Sequence, residues 1–292
     1  MQGRNKAIPH NANSRKKWYN ISIDRQLSLS ALSDVLSQVR TKKREFLDEI
    51  ERIVPWGKWI SIIKPYYYKG ERGNKPYDLE RMLRIYLVQK LYNLSDMATV
   101  AEVIDSHAFS DFCGVESSNQ VPDGDTLGRF RNILMRNGIQ QELFAQVVEL
   151  LMQRGLVHTV KVTAANEHDV TVTSELLTGD EEEVYGDSGY LGAEKRPEAL
   201  KKNKAGKSVH YKINRRPSQS KNKSARSQAQ IKRREHEKSS VRAKVEHVFA
   251  VVKLQLRFRK TRYRGLQKQT AKMNIMFALA NLILADRPCL AA

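Results

Sequence analysis

At Gly155 the spacing of the apolar residues changes from helical to alternating, and that change confines the chain to an α+β architecture. From Thr41 to about Gln153 the pattern is helical. Phe46, Leu47, Ile50, Ile53 and Val54 share one face of a first helix, which Pro55 ends. A short helix follows from Trp56 to Ile63. Asp78 is placed to cap a helix over residues 79–92, whose buried side carries Met82, Leu83, Tyr86, Leu87, Lys90 and Leu91. Ser95 caps another helix, running through Val103 and Ile104. Asp123 or Asp125 caps one that bears Leu127, Phe130 and Leu134 and is broken at Gly138. A helix over residues 140–153 completes an all-helical half with a core of its own.

Past Gly155, residues 156–163 alternate and are rich in β-branched side chains, the pattern of a strand. Residues 164–177 turn helical, and residues 183–187 form a second short strand that ends in the turn Ser188-Gly189-Tyr190. A helix from about Ala193 is broken by Pro197. Residues 201–234, basic and poor in apolar side chains, read as a loop or as a segment ordered only on DNA. Residues 240–259 read as an amphipathic helix that buries Val241, Val245, Val248, Phe249, Val252 and Leu256. A last apolar helix with Met273, Ile275, Met276, Ala278, Leu279 and Leu282 closes the core. The organisation expected is a basic, flexible N-terminus over 1–40, a helical DNA-binding domain over 41–154, and an α/β domain with a C-terminal helical segment over 155–288.

Charge narrows the class of partner. A net charge of +19 points to a polyanion, most often nucleic acid. Residues 195–268 hold 25 Lys and Arg against 4 Asp and Glu, which leaves 26 against 28 elsewhere. The polyanion site is therefore expected in the C-terminal half. Cys113 and Cys289 stand far apart, in no disulfide framework and no zinc spacing. No apolar run reaches membrane-spanning length and the N-terminus lacks a secretory pattern, so a cytoplasmic protein is expected.

Two carboxylates stand out in the basic half. At about 100° per residue, Arg242, Glu246 and Lys253 fall on one line of their helix, beside the apolar stripe. Asp187 sits at the C-terminal end of the second strand, where open α/β sheets bind ligands. Each has a plain explanation alone: an i,i+4 ion pair on a solvated face, and an ordinary D-S-G turn. Joined to each other and to a dense cationic surface, they read better as hard oxygen ligands for Mg²⁺. Two such ions about 3.5–4 Å apart serve phosphodiester chemistry by activating the nucleophile and stabilising the leaving oxygen.

The stretches PYDLERMLRIYLVQKLYNLSD, PDGDTLGRFRNIL, GLVHTVKVTAANEHD, YGDSGYLG, RAKVEHVFAVVK, FRKTRYRGL and MFALANL resemble the DDE transposases of bacterial insertion sequences, specifically the insertion-sequence-five family. The resemblance runs from about Lys43 to Asp286. Its most specific part is the glutamate helix, where Arg242, Glu246 and Lys253 match Y-x2-R-x3-E-x6-K and Ser239 takes the tyrosine position. The resemblance implies an RNase H-like catalytic core, with Asp187 and Glu246 as the second and third catalytic and metal-binding carboxylates. It also implies Mg²⁺ (or Mn²⁺) as cofactor and cleavage and strand transfer at terminal inverted repeats. The partners implied are double-stranded DNA, both repeat and target, and further copies of the chain on that DNA. The cations expected on DNA are Arg242, Lys253, Arg257, Arg259, Lys260, Arg262 and Arg264.

The chain departs from that pattern in one place. The family's first catalytic Asp lies on the first strand of the core, yet no Asp occurs between Asp125 and Asp169. Residues 150–154 run straight into Gly155-Leu156-Val157-His158, as an internal deletion of two strands near Arg154 would leave them. The RNase H-like core is then incomplete and its chemistry impaired. Three readings follow. An active transposase would need a replacement carboxylate such as Glu167 or Asp169. A remnant would bind DNA without cutting and could inhibit an intact transposase. The third reading is an unrelated basic RNA-binding or architectural protein.

Overall fold

Capping side chains fix where the helices of the first half begin. In this computed structural model the described residues are 40–68, 75–151, 156–216, 225–261 and 263–286. The chain divides into two units, Met1–Arg40 and Thr41–Ala292. The expected flexible N-terminus thus lies outside the described residues, Arg40 excepted. Helix α1 (Lys42–Ile53) starts where the Thr41 hydroxyl accepts from the Arg44 amide at 3.2 Å. It is followed by α2 (Trp56–Ile63). Asp78 accepts from the Arg81 amide at 2.9 Å and opens α3 (Leu79–Leu91). Ser95 does the same for α4 (Asp96–Asp105), which leads into the short α5 (His107–Cys113). Asp123, not Asp125, caps α6 (Gly124–Arg136), accepting from the Thr126 amide at 2.6 Å. Each cap satisfies an N–H without an intrahelical partner. Gly138, at φ +66°, turns the chain into α7 (Ile139–Leu150). That helix ends three residues earlier than expected, and the boundary foreseen at 154/155 falls outside the described residues.

The apolar faces read from the sequence meet in one core. Trp59, Leu83, Phe130, Leu134 and Val147 are all but inaccessible. The Phe130 ring stands edge-on to Tyr67 and to Tyr86, each at 5.9 Å. Helix α9 (Leu266–Asp286) is buried without a break from Asn274 to Leu284. It lies mainly against α7, with further packing on α1, α3 and α6. The last apolar helix thus helps to close a core that Val248, Val251, Val252 and Leu256 of the second half also join. A helix apolar on every side must be surrounded.

The second half has a thin sheet. Strands β1 (Glu183–Gly186) and β2 (His210–Ile213) pair in parallel, from Glu183 opposite His210 to Gly186 opposite Ile213. Five expectations are corrected here. Residues 156–163 belong to no strand among the described residues; the Val157 carbonyl accepts instead from Asn281 Nδ2 at 2.7 Å. Residues 164–177 hold only the short turns Asp169–Val172 and Thr173–Leu176. From Ala193 there is a single 3-10 turn, Ala193–Lys195, which Pro197 cannot extend. Residues 201–234 are not all loop: they contain β2 and the start of α8 (Ala225–Ala250), while 217–224 lie outside the described residues. Lysines masked the alternation around Tyr211 and Ile213. Helix α8 reaches Ala250 and continues as a π-helical turn, Val251–Gln255, instead of running regularly to Arg259. No helix among the described residues is long and apolar enough to cross a membrane.

Candidate functional site

Asp187 follows β1 directly, because Gly186 lets the strand end against β2. A Cβ on Gly186 would stand 2.8 Å from Ile213 Cδ1 and 3.1 Å from Tyr190 Cβ, so a larger residue would have to push both side chains aside. The Asp187 side chain then caps the turn Ser188–Tyr190, accepting from the Gly189 amide at 2.8 Å. This is the turn chemistry expected of D-S-G, with the carboxylate still exposed.

Glu246 comes from α8. Its Oε1 accepts from Arg242 Nη2 at 2.9 Å, and its side chain stays 63% exposed. Lys253 does not join them. It lies in the π turn, where the α-helical period no longer holds, and its ammonium sits 6.0 Å from the Phe249 ring. The line of three read from the sequence is thus a pair.

The fold brings the two carboxylates to one groove of about 430 Å³, lined by Asp187, Glu246, Arg242, Val245, Phe249 and, from the turn after His168, Asp169. Asp169 is the nearer companion of Asp187. Its Oδ2 and Asp187 Oδ1 lie 3.4 and 3.0 Å from the point a Gly189 Cβ would occupy. Burial, and then the fields of Asp169 and Asp187, push the Tyr190 phenol above its usual range. Glu167, the other replacement weighed, does not line the groove.

The donors are of the right kind for a hard divalent cation, since carboxylate oxygens are what such ions take. The set is nevertheless insufficient. Among the described residues no three His, Cys, Asp or Glu side chains converge closely enough to hold a metal ion. Asp187 Oδ1 is engaged by a backbone amide and Glu246 Oε1 by an arginine. A two-ion centre does not fit this arrangement.

Of the cations expected on DNA, Arg242, Lys253, Arg257, Arg259, Lys260 and Arg264 fall on described residues, and all but the half-buried Arg242 are exposed; Arg262 lies outside the described residues. Arg257 also has a structural part. It takes φ +53°, rare for a residue with a Cβ, its carbonyl accepts from Asn93 Nδ2 at 3.1 Å, and its guanidinium lies 4.7 Å over the Tyr92 ring.

One cluster was not foreseen. Lys90 is 2% exposed, donates to Gln89 Oε1 at 2.9 Å and to the Tyr263 hydroxyl at 3.0 Å, and shares the Tyr263 ring with Arg131 and Lys272. Burial first, then the neighbouring Arg131 and Lys272, drive its pKa well below the usual lysine range. Its place on the buried face of α3 was visible in the periodicity. Its partners were not, because Tyr263 and Lys272 lie far along the chain. A second cleft, of about 490 Å³ in the helical half, is closed by ion pairs: Arg84 Nη2 lies 2.7 Å from Glu80 and 2.9 Å from Glu51, with its guanidinium 4.2 Å over Trp56.

Two family models match the chain. Residues 34–132 match a transposase domain, DUF772, and residues 146–282 match the transposase DDE domain. No solved structure matches. The groove that joins Asp187 to Glu246 falls within the second match. Both stretches of the chain are thus similar to transposase domains, the second of them of the DDE class.

Proposed function

We propose that this chain is a transposase of the insertion-sequence-five family that binds the terminal inverted repeats of its element and has lost most of its power to cut them. The observation that carries the reading is the groove itself: it is lined by Asp187, Glu246 and Asp169 from separate elements, yet among the described residues no three such side chains come close enough together to hold a metal ion. In an intact RNase H-like core a first strand would supply that carboxylate, and a deletion near Arg154 accounts for its loss. The basic half supports DNA binding independently of catalysis, because phosphate contacts need cations and not a metal site. Binding without cutting would make the chain a competitor of an intact transposase for its ends. The two domain matches weigh against an unrelated RNA-binding or architectural protein.

Asp169 favours a second reading. It already lies beside Asp187 on the rim of the groove, and a modest shift of its turn would bring a third carboxylate to the pair. The experiment that separates the two is cleavage of a duplex ending in the element's own terminal repeat, with Mg²⁺ or Mn²⁺, with binding followed in the same samples. Retained binding and no cleavage is expected. Cleavage that is lost in both Glu246→Gln and Asp169→Asn would establish the second reading and sink the first.

A further inference from the structure

Residues 226–234 of α8 carry Arg226, Lys232, Arg233 and Arg234 and no carboxylate. All of them except Ile231 are exposed. The first acids follow at Glu235 and Glu237 and are already engaged. Glu235 accepts from Lys238 at 3.0 Å and from the Arg215 amide at 2.9 Å, while Glu237 reaches Arg233 at 3.3 Å in an open, solvated pair. Arg226, Lys232 and Arg234 thus have no carboxylate partner among the described residues. Cations in the first turns of a helix oppose its macrodipole, and this helix has no acid there to offset them. Such a charge order does nothing for the helix by itself. It becomes favourable when a polyanion lies along it.

The directions of the side chains are more specific than the charge. Ile231, Glu235, Lys238, Ser239 and Arg242 are half-buried and mark the side of α8 that faces the protein. At about 100° per residue, Arg226 and Arg233 lie within about 20° of each other on the opposite side. Lys232 and Arg234 stand about 100° to the left and right of that line. A helix seated in the major groove of B-DNA, which is about 12 Å wide, meets base edges along one line and a phosphodiester backbone on each flank. We propose that this amino-terminal arm of α8 enters the major groove of duplex DNA, with Arg226 and Arg233 toward the base edges and Lys232 and Arg234 on the two backbones. The inference rests on the DNA-binding reading above and assigns it a surface away from the carboxylate groove.

The test is equilibrium binding to duplexes of several sequences across a salt series, using the full chain, a Lys232→Gln/Arg234→Gln double variant and an Arg226→Gln/Arg233→Gln double variant. Far-UV circular dichroism checks that the helix persists, as exposed positions should allow. Each lost phosphate contact lowers the slope of log K against log salt by about 0.9. The first variant should lose about 2 from the slope on every sequence, and the second should alter the ranking of sequences. An unchanged slope in the first variant overturns the arm while leaving DNA binding intact. A parent chain that does not bind duplex DNA at low salt overturns the DNA-binding reading and the arm with it. Duplex RNA has a major groove too deep and narrow for a helix. An equal loss of slope on RNA would overturn groove insertion.

Discussion

Helix α8 belongs to two regions at once, and its two ends are treated differently. Toward its C-terminal end Val248, Val252 and Leu256 are 3%, 2% and 0% exposed, packed into the core that α9 organises. One and two turns before Val248, Val245 and Val241 remain 47% and 42% exposed beside the sheet, and Phe249, on the same side, remains 44% exposed although its ring meets Phe277 of α9 at 5.4 Å. The residue types are the same and so is the helical spacing. What differs is the neighbour. The helical half encloses a large apolar core, whereas the sheet half has, among the described residues, two strands of four residues and an open groove. An apolar stripe beside a two-stranded sheet has too few neighbours to cover it.

Substitutions can break this contrast or sharpen it. The largest effect is expected at Phe130, held between Tyr67 and Tyr86. Phe130→Ala should cost about 3–5 kcal/mol, read from the urea midpoint at constant m-value. A cost below 1 kcal/mol would mean that the helical core is not the stable part. Next comes Lys90. Its folded-state pKa is lowered, so between that value and the unfolded value of about 10.4 the unfolded chain binds more protons. Stability should therefore rise with pH from neutral toward about 10, by at most about 1.4 kcal/mol per unit from this group. Lys90→Met should remove that slope. Parallel pH profiles for the two proteins in chemical denaturation would show that Lys90 is charged in the fold. The smallest effects belong to the open stripe: Val241→Thr and Val245→Thr should each stay within about 0.5 kcal/mol. Costs of several kcal/mol there would mean that these valines are covered after all and would abolish the contrast.

The helical half was legible because its signals are local. Asp78 and Ser95 announce caps within three residues of the amides they accept from, Asp123 was one of two candidates for the next, and Pro55 and Gly138 mark breaks in the same range. The short α5 was missed, since seven residues carry too little periodicity to separate it from α4. β1 was legible as a β-rich run before a turn. Residues 156–163 gave the same signal and formed no strand, because a strand needs a neighbour and the sequence does not say whether one is present. Asp187 and Glu246 were picked out on charge context and resemblance, and the fold places both on one groove. Lys253 does not line the groove with Glu246, because a helical line extrapolated over seven residues does not survive a π turn.

By itself the sequence determined which segments are helical, where they start, how charge divides between the halves, and that a carboxylate follows β1. Those properties depend on residues a few positions apart, so they are present before the chain folds. Only the tertiary structure decided that α9 lies mainly against α7, that Lys90, Arg131 and Lys272 gather round one tyrosine, and that Asp169 stands beside Asp187 while Lys253 stands apart from Glu246. Each of these joins residues whose separation along the chain carries no information about their distance. They are set by how apolar faces find enough partners to leave water, which the whole chain settles at once.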